Sequence, residues 1–210
     1  MNYYKKQIFP LYYYHTNISE TRELKKKFIS PIVDDYGTSS PPSGWETTKL
    51  HTSFSRKDLN EKVFGEEGKD FPTELYMSYI DKFFDLPWEG EILDIWYNCY
   101  IDGDYQERHN HNNETGPMNP HFSCIHYLSF DPERHQPVTF FDPLSIIRSS
   151  SQEFKSNNYK SRITPRIREG DFLMFPSFLE HSVRASEKTE DYPRVTIAFN
   201  LFLYRYGEMA

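Results

Sequence analysis

The chain has 210 residues, of which 37% are hydrophobic and 17% aromatic, and its 31 acidic against 24 basic side chains give a net charge of -7 and a pI near 5.6. That length suits one domain with its own core, alone or with a small extension, and large aromatics bury enough area to build the core at modest hydropathy. The acidic balance excludes a general nucleic-acid binder, which needs a basic stripe to neutralise phosphates, and no window approaches the ~18 apolar residues of a membrane span. Neither nucleic acid nor membrane is therefore expected as a partner. Met1-Asn2-Tyr3-Tyr4-Lys5-Lys6 lacks the apolar stretch of a signal peptide. Cys99 and Cys124, each inside an apolar run, read as buried free thiols suited to a reducing compartment, so a cytoplasmic protein is expected.

Residues 3–14 are aromatic and β-prone around Pro10. A short helix is expected over 19–29, with Leu24 and Phe28 as an i, i+4 pair. Residues 34–53, rich in Gly, Ser, Thr and Pro, form a loop. A second short helix runs from Ser55 or Arg56 to Phe64, and the strongest helix starts near Pro72. Leu75, Tyr79, Ile80, Phe83 and Phe84 then recur at helical spacing until Pro87. From residue 91 the texture changes to short β-branched and aromatic runs at 91–101, 121–130, 137–141, 171–175, 181–186 and 194–204. Turn formers such as Asp102-Gly103-Asp104 and Glu169-Gly170-Asp171 separate them. Many short strands without intervening helices indicate an antiparallel sandwich or barrel. The expected plan is a helical and loop extension over 1–90 packed on a mainly β core over 91–210, one structural unit without a linker. Arg162, Arg166 and Arg168 read as a solvated hairpin rim.

Within the β region, His109 and His111 are two residues apart. On a strand such residues share a face, about 6–7 Å apart, and their imidazoles can lean onto one ion. The pair alone is a weak motif, common on surface loops. His181, which opens a later apolar strand, is the natural source of a third ligand, because distant strands face each other across a jelly roll. The run Arg194-Val195-Thr196-Ile197-Ala198-Phe199-Asn200 has two unlike faces, with Arg194, Thr196, Ala198 and Asn200 on the polar one. A buried guanidinium needs an anion. It suits a carboxylate bidentately, with the Thr196 hydroxyl one step along, although a structural ion pair with an acidic side chain would satisfy it equally.

Trp96-x-Asn98, Tyr105-Gln106-x-x-His109-x-His111, Ser123-x-Ile125-His126-Tyr127-Leu128, Phe141-x-Pro143, Phe175-Pro176-Ser177-x-x-x-His181 and Arg194-x-Thr196-Ile197-Ala198-Phe199-Asn200 occur in this order. Together they resemble a family of 2-oxoglutarate/iron(II) oxygenases of bacteria and phages related to prolyl 4-hydroxylases, over roughly residues 91–202. The resemblance implies a double-stranded β-helix (a cupin-like jelly roll) with iron(II) on His109, His111 and His181. It implies 2-oxoglutarate with its distal carboxylate on Arg194 and Thr196, Tyr127 offering a phenol to the same group, and Asn98 and Asn200 facing the pocket. The wider superfamily places a carboxylate where His111 stands; Glu107, on the same expected strand face as His109, is the alternative second ligand. Three imidazoles would also accept zinc, copper or nickel.

The implied activity is that of a dioxygenase, with a hydroxylase reaction as the expectation. Oxygen and 2-oxoglutarate are consumed, carbon dioxide and succinate are formed, and a C–H bond of an unidentified, peptidyl substrate is oxidised. Two other readings compete: a cupin-like zinc protein that ignores 2-oxoglutarate, and a non-enzymatic β-sandwich binding module. Trp96, Phe141 and Phe175 could wall a pocket or be plain core. The loops 34–53 and 112–120 are candidates for a substrate-shaping lid. His121 and His135, at strand ends, are expected to be exposed, His126 to face away from Tyr127, and His15 and His51 to have surface or core roles. Oligomeric state is not legible.

Overall fold

The computed structural model describes residues 11–38, 40–112, 119–150, 160–187, 189 and 191–206. Residues 1–10, with most of the aromatic N-terminal run, and 113–118 of the proposed lid lie outside them. In chain order the elements are β1 (Tyr14–Asn17), α1 (Thr21–Val33), β2 (His51–Thr52), α2 (Lys57–Phe64), α3 (Thr73–Ile80), β3 (Trp88–Tyr100), β4 (Gln106–His109), β5 (Phe122–Ser129), β6 (Val138–Phe141), α4 (Ser145–Ser150), β7 (Arg162–Ile163), β8 (Asp171–Pro176), β9 (His181–Val183) and β10 (Arg194–Tyr206). All strand pairs are antiparallel. They build a six-stranded sheet, β1-β8-β5-β10-β3-β2, and a four-stranded sheet, β4-β9-β6-β7. The protein is mainly β, a jelly roll with helices on one side, as the strand-rich second half suggests. No described helix is long and apolar enough to cross a membrane.

The larger sheet is buried on both faces. Val195, Ile197, Phe199 and Leu201 of β10 point to one side, together with Tyr97 and Cys99 of β3, Cys124 of β5 and Phe172 and Met174 of β8. Leu24, Phe28 and Ile32 of α1, Leu59, Val63 and Phe64 of α2, and Tyr76 and Ile80 of α3 cover that side. Phe199 sits among Phe71, Tyr76 and Phe172 with ring centroids 5.0–5.9 Å away. The opposite face carries Arg194, Thr196, Ala198 and Asn200, with their neighbours Asn98 and Tyr127 beside Thr196. Interior packing also involves Leu173, Phe175, Val138 and Phe140. Both cysteines are buried free thiols, as expected.

The expected helices appear with shifted ends. α1 continues four residues past 29, through Pro31, because Ile32 is fully buried against the helical core and compensates the lost backbone bond. Pro72 lies just before the first turn of α3, which hands over to a 3₁₀ turn at Asp81–Phe83. Four strands escaped the sequence pattern. β4, Gln-Glu-Arg-His, carries no hydrophobic alternation; β2 and β7 have two residues each; and β1 occupies only the end of the aromatic run. Arg162, Arg166 and Arg168 are exposed, in keeping with a solvated rim.

His135 corrects one expectation. It is 2% exposed rather than solvent-facing: its Nδ1 accepts the Asp131 N–H at 2.9 Å, and its Nε2–H donates to the Tyr192 carbonyl at 2.8 Å. The connection after β5 folds back on itself and uses the ring as its internal cap. His126 does face away from Tyr127, into the helical core, where Nδ1 meets the Tyr76 hydroxyl at 2.9 Å and Nε2 the Thr21 hydroxyl at 3.0 Å. Burial lowers its pKa to about 3. A depressed histidine is stabilising-neutral above the ordinary value of 6.5 and disfavours the folded state as pH falls from there toward 3, because only the unfolded chain takes the proton. Denaturant midpoints should therefore drop between pH 7 and pH 4, with this residue contributing at most about 1.4 kcal/mol per pH unit. His126→Phe should flatten that slope, and an unchanged slope in the variant would refute the assignment.

Candidate active site

Three histidines converge between the sheets. β4 and β9 pair so that His109 lies directly opposite His181, after a bulge between Gln106 and His109 that adds a residue to β4. Bulges re-aim side chains, and this one turns the His109 ring toward its partner strand. His111 follows two residues past the end of β4, off the strand rather than on it, and its backbone N–H donates to the Ser177 carbonyl at 2.8 Å. The ring centroids are 5.3 Å (His109–His111), 4.2 Å (His109–His181) and 5.1 Å (His111–His181) apart.

Each ring is oriented through Nδ1. His109 donates to the Glu107 carbonyl at 2.8 Å, His181 to the Leu179 carbonyl at 2.9 Å, and His111 to Asn200 Oδ1 at 2.8 Å. With Nδ1–H committed to an acceptor, each Nε2 keeps its lone pair. The three ligand atoms lie within 4.8 Å of one another, a separation that small ring rotations close onto an ion at about 2.1 Å. Burial lowers all three pKa values, that of His111 to about 4; neighbouring imidazoles add to the effect at His111 and His181, while Glu107 opposes it at His109. Neutral imidazole is the form that binds metal, so the donor set fits a divalent cation of the imidazole-accepting kind, iron(II) included.

Glu107 does not join the cluster. Its carboxylate accepts the backbone N–H groups of Glu46 at 3.0 Å and Thr47 at 3.4 Å, which ties the 43–47 segment to β4. That segment brings Trp45 over His109, with centroids 6.3 Å apart and planes 24° from parallel. Trp96 approaches His111 at 5.5 Å and Phe175 approaches His181 at 4.9 Å. Phe141 instead lies under the Arg108 guanidinium, which pairs with Glu180. A cavity of about 560 Å³ opens over the histidines, lined among others by Trp45, Trp96, Asp94, Glu107, Arg108 and Asn112. The part of the 34–53 loop around Trp45 thus borders the site.

Arg194 is 2% exposed, yet its Nε and Nη1 have no hydrogen-bond partner and no carboxylate among the described residues pairs with it. Its guanidinium lies 4.3 Å from the Tyr100 ring centroid and 5.3 Å from that of Tyr127. Thr196 and Asn98 are adjacent in register, both buried, and Asn98 Oδ1 is likewise without a partner. Tyr127 is fully buried, and its hydroxyl accepts the Val138 N–H at 3.2 Å. These four side chains do not line the cavity over the histidines; they are buried on the same inner face, toward the other end of β10. Asn200, expected beside them, serves His111 instead. Its Oδ1 also accepts the Ser123 hydroxyl at 3.0 Å, and its Nδ2–H donates to Asp94 at 3.2 Å.

Asp94, Ser123 and Trp45 are site residues that the sequence pattern does not single out. Asp94 arrives through a second bulge: Phe199 faces Ile95 while Leu201 faces Ile92, so Leu93 and Asp94 together oppose Asn200. No spacing rule anticipates such an insertion.

Residues 94–200 match the profile of the family described as "Putative 2OG-Fe(II) oxygenase", and the chain belongs to that family of enzymes, whose cofactors are iron(II) and 2-oxoglutarate. Among solved structures, HygX from Streptomyces hygroscopicus with nickel, 2-oxoglutarate and hygromycin B bound is similar at TM-score 0.58 and 13% identity, over 95% of this chain and 86% of that one. A Pseudomonas putida prolyl-4-hydroxylase is similar at TM-score 0.52 and 11% identity, over 91% and 92% of the two chains. The 2-oxoglutarate-dependent epimerase SnoN of nogalamycin biosynthesis is similar at TM-score 0.54 and 12% identity, over 90% and 77%. At these identities the likeness is one of fold. No curated protein matches the sequence.

The open choice between His111 and Glu107 has a direct test. His111→Ala should abolish stoichiometric loading of the apo-protein with iron(II) or nickel(II), whereas Glu107→Gln should load as the parent does. Metal analysis after desalting reads both, and a Glu107→Gln protein without metal would move the second ligand to that carboxylate.

Proposed function

We propose that the protein hydroxylates a C–H bond of a peptidyl substrate, with iron(II) on His109, His111 and His181 and 2-oxoglutarate anchored by Arg194. The observation that carries this reading is the Arg194 guanidinium, whose Nε and Nη1 have no hydrogen-bond partner although it is buried on the inner face of the sheet that also brings Asn200 to His111. An isolated buried charge is too costly to keep without an anion. Two buried donors without a partner call for an acceptor that the described residues do not supply, and a carboxylate suits a guanidinium. Thr196 and Tyr127 supply hydroxyls at that place, and Asn98, whose Oδ1 has no partner, borders it. A metal-binding protein without a keto-acid cosubstrate, or a binding module, would have no use for this arrangement.

With iron(II) and 2-oxoglutarate bound, dioxygen would be the oxidant, one of its atoms passing to succinate as 2-oxoglutarate loses carbon dioxide and the other to the substrate C–H bond; the chain's share is geometry and exclusion of water. Trp45, Trp96 and Phe175 dry the surroundings of the imidazoles, and the three Nδ1–H bonds hold the rings in register. An extended substrate is supported by a second groove of about 570 Å³, which shares Phe54, Asp94 and Trp96 with the cavity over the histidines. Its far wall comes from α2 through Lys57, Asn60 and Glu61. The peptidyl reading rests on this groove: of the fold relatives, the prolyl-4-hydroxylase accords with it, whereas HygX is bound to hygromycin B. The described residues before 91 act in this reading as part of the same unit, since β1 pairs with β8, β2 with β3, and the 44–46 segment lines the cavity.

Arg194→Ala should raise the dissociation constant of 2-oxoglutarate by about 10²-fold or more, as expected for loss of a charge-assisted bidentate pair worth about 3 kcal/mol. Metal stoichiometry should stay at the parent level, and calorimetric titration of the nickel-loaded protein reads the difference. Succinate should form only when iron(II), oxygen and 2-oxoglutarate are all present. Unchanged 2-oxoglutarate affinity in Arg194→Ala would refute the anchoring role.

A further inference from the structure

We propose that Asp94 and Asn200 form a positioning relay that sets the tautomer of His111 and so makes its Nε2 available to the metal. The inference rests on the three-histidine metal site and adds to it the device that prepares one of its ligands. The argument begins at the carboxylate. An ionised carboxylate only accepts hydrogen bonds, so the amide group of Asn200 that faces Asp94 at 3.2 Å must be the NH₂. The amide oxygen then points the other way, toward His111 Nδ1 at 2.8 Å, and receives the Ser123 hydroxyl at 3.0 Å. An oxygen in that place requires Nδ1 to carry the proton. The lone pair is left on Nε2, among the other two ligand atoms.

This arrangement differs from that of the other two ligands. His109 and His181 donate to backbone carbonyls, whose role as acceptors is fixed. A side-chain amide is reversible: turned over, it would present NH₂ to Nδ1, force the proton onto Nε2 and block ligation. His111 therefore needs a second group to lock the amide. Asn200 is only 4% exposed, so solvent does not decide its orientation, and Asp94, delivered by the β3 bulge, does. The relay also places an anion two hydrogen bonds from the metal at the one position where the wider superfamily supplies a carboxylate ligand. Neither residue touches the metal; both act through His111.

The test reads the tautomer directly. Long-range ¹H–¹⁵N correlation spectra of histidine-labelled, metal-free protein at pH 7 should show His111 as the Nδ1–H form in the parent and in Asn200→Asp, whose oxygen can still accept. In Asn200→Leu the ring loses its acceptor and should shift toward the Nε2–H form. In Asp94→Lys the ammonium donates, the amide turns over, and the same shift should follow. Competition titration with nickel(II) should weaken by ~10–100-fold in both shifted variants, the range typical for loss of the outer partner of a metal-bound histidine. Asp94 is exposed, so Asp94→Lys decides the matter if Asn200→Leu does not fold. Retention of the Nδ1–H form in these variants, or a shift that leaves nickel(II) affinity within about twofold of the parent, overturns the relay. Failure of the parent to bind nickel(II) would instead overturn the metal site, while the spectra would still report on the hydrogen bonds.

Discussion

Strand β10 is hydrogen-bonded on both edges, to β3 and β5, and its described core from Arg194 to Leu201 is buried on both faces. That double burial constrains the whole molecule. One face must be apolar enough to seat three helices, and the other must face an interior where every polar group needs a partner. The period of two along a strand satisfies both demands within eight residues, alternating Val195, Ile197, Phe199 and Leu201 with Arg194, Thr196, Ala198 and Asn200. A slip of one residue would send a guanidinium into the Phe199 cluster and valine toward the site, so the register is strongly specified. The helices consequently act on the site at a distance, by fixing the sheet on which its polar face is written.

The histidines depend on departures from that regularity. An uninterrupted β4 would not set His109 opposite His181 after Gln106 has paired with Val183, and an uninterrupted β3 would not offer Leu93 and Asp94 together to Asn200. Both irregularities sit where ligands or their supports are needed. Each gives up ladder regularity for aim, which is the common use of a bulge beside a functional site. The 43–47 segment completes the enclosure through the Glu107 carboxylate, whose two backbone hydrogen bonds hold Trp45 near His109. A carboxylate two residues from a metal ligand reads in sequence as a ligand; its use as a loop anchor becomes visible only in three dimensions.

The parts legible in the sequence are those governed by periodicity. The α1, α2 and α3 stripes, the faces of β10 and the inward His181 follow from spacing and apolarity alone, and the ordered motifs carry the family assignment. What was not legible has a physical origin in each case. β4 is polar because its inner face holds Gln106 and a histidine rather than core residues, so hydrophobic alternation is blind to it. His135 looks exposed from its place at a strand end, yet the backbone groups at Asp131 and Tyr192 draw it inward. Asn200 was correctly placed on the inner face, but strand phase cannot say which of its inner neighbours it serves. Asp94 depends on an inserted residue that no periodic rule contains.

Charge explains why these pieces belong together. Three neutral imidazoles around a divalent cation leave the full double positive charge in place, one unit more than when a carboxylate is among the ligands. Arg194 adds a further buried positive charge on the same inner face, without a carboxylate partner among the described residues. Two uncompensated cationic groups in a low-dielectric interior are mutually unfavourable. In the proposed arrangement a dianionic keto acid with one end at each would compensate both at once. Metal and cosubstrate would then be positively coupled through electrostatics. In the proposed arrangement the arginine would be the counterpart of the missing carboxylate ligand, with the negative charge supplied by the cosubstrate.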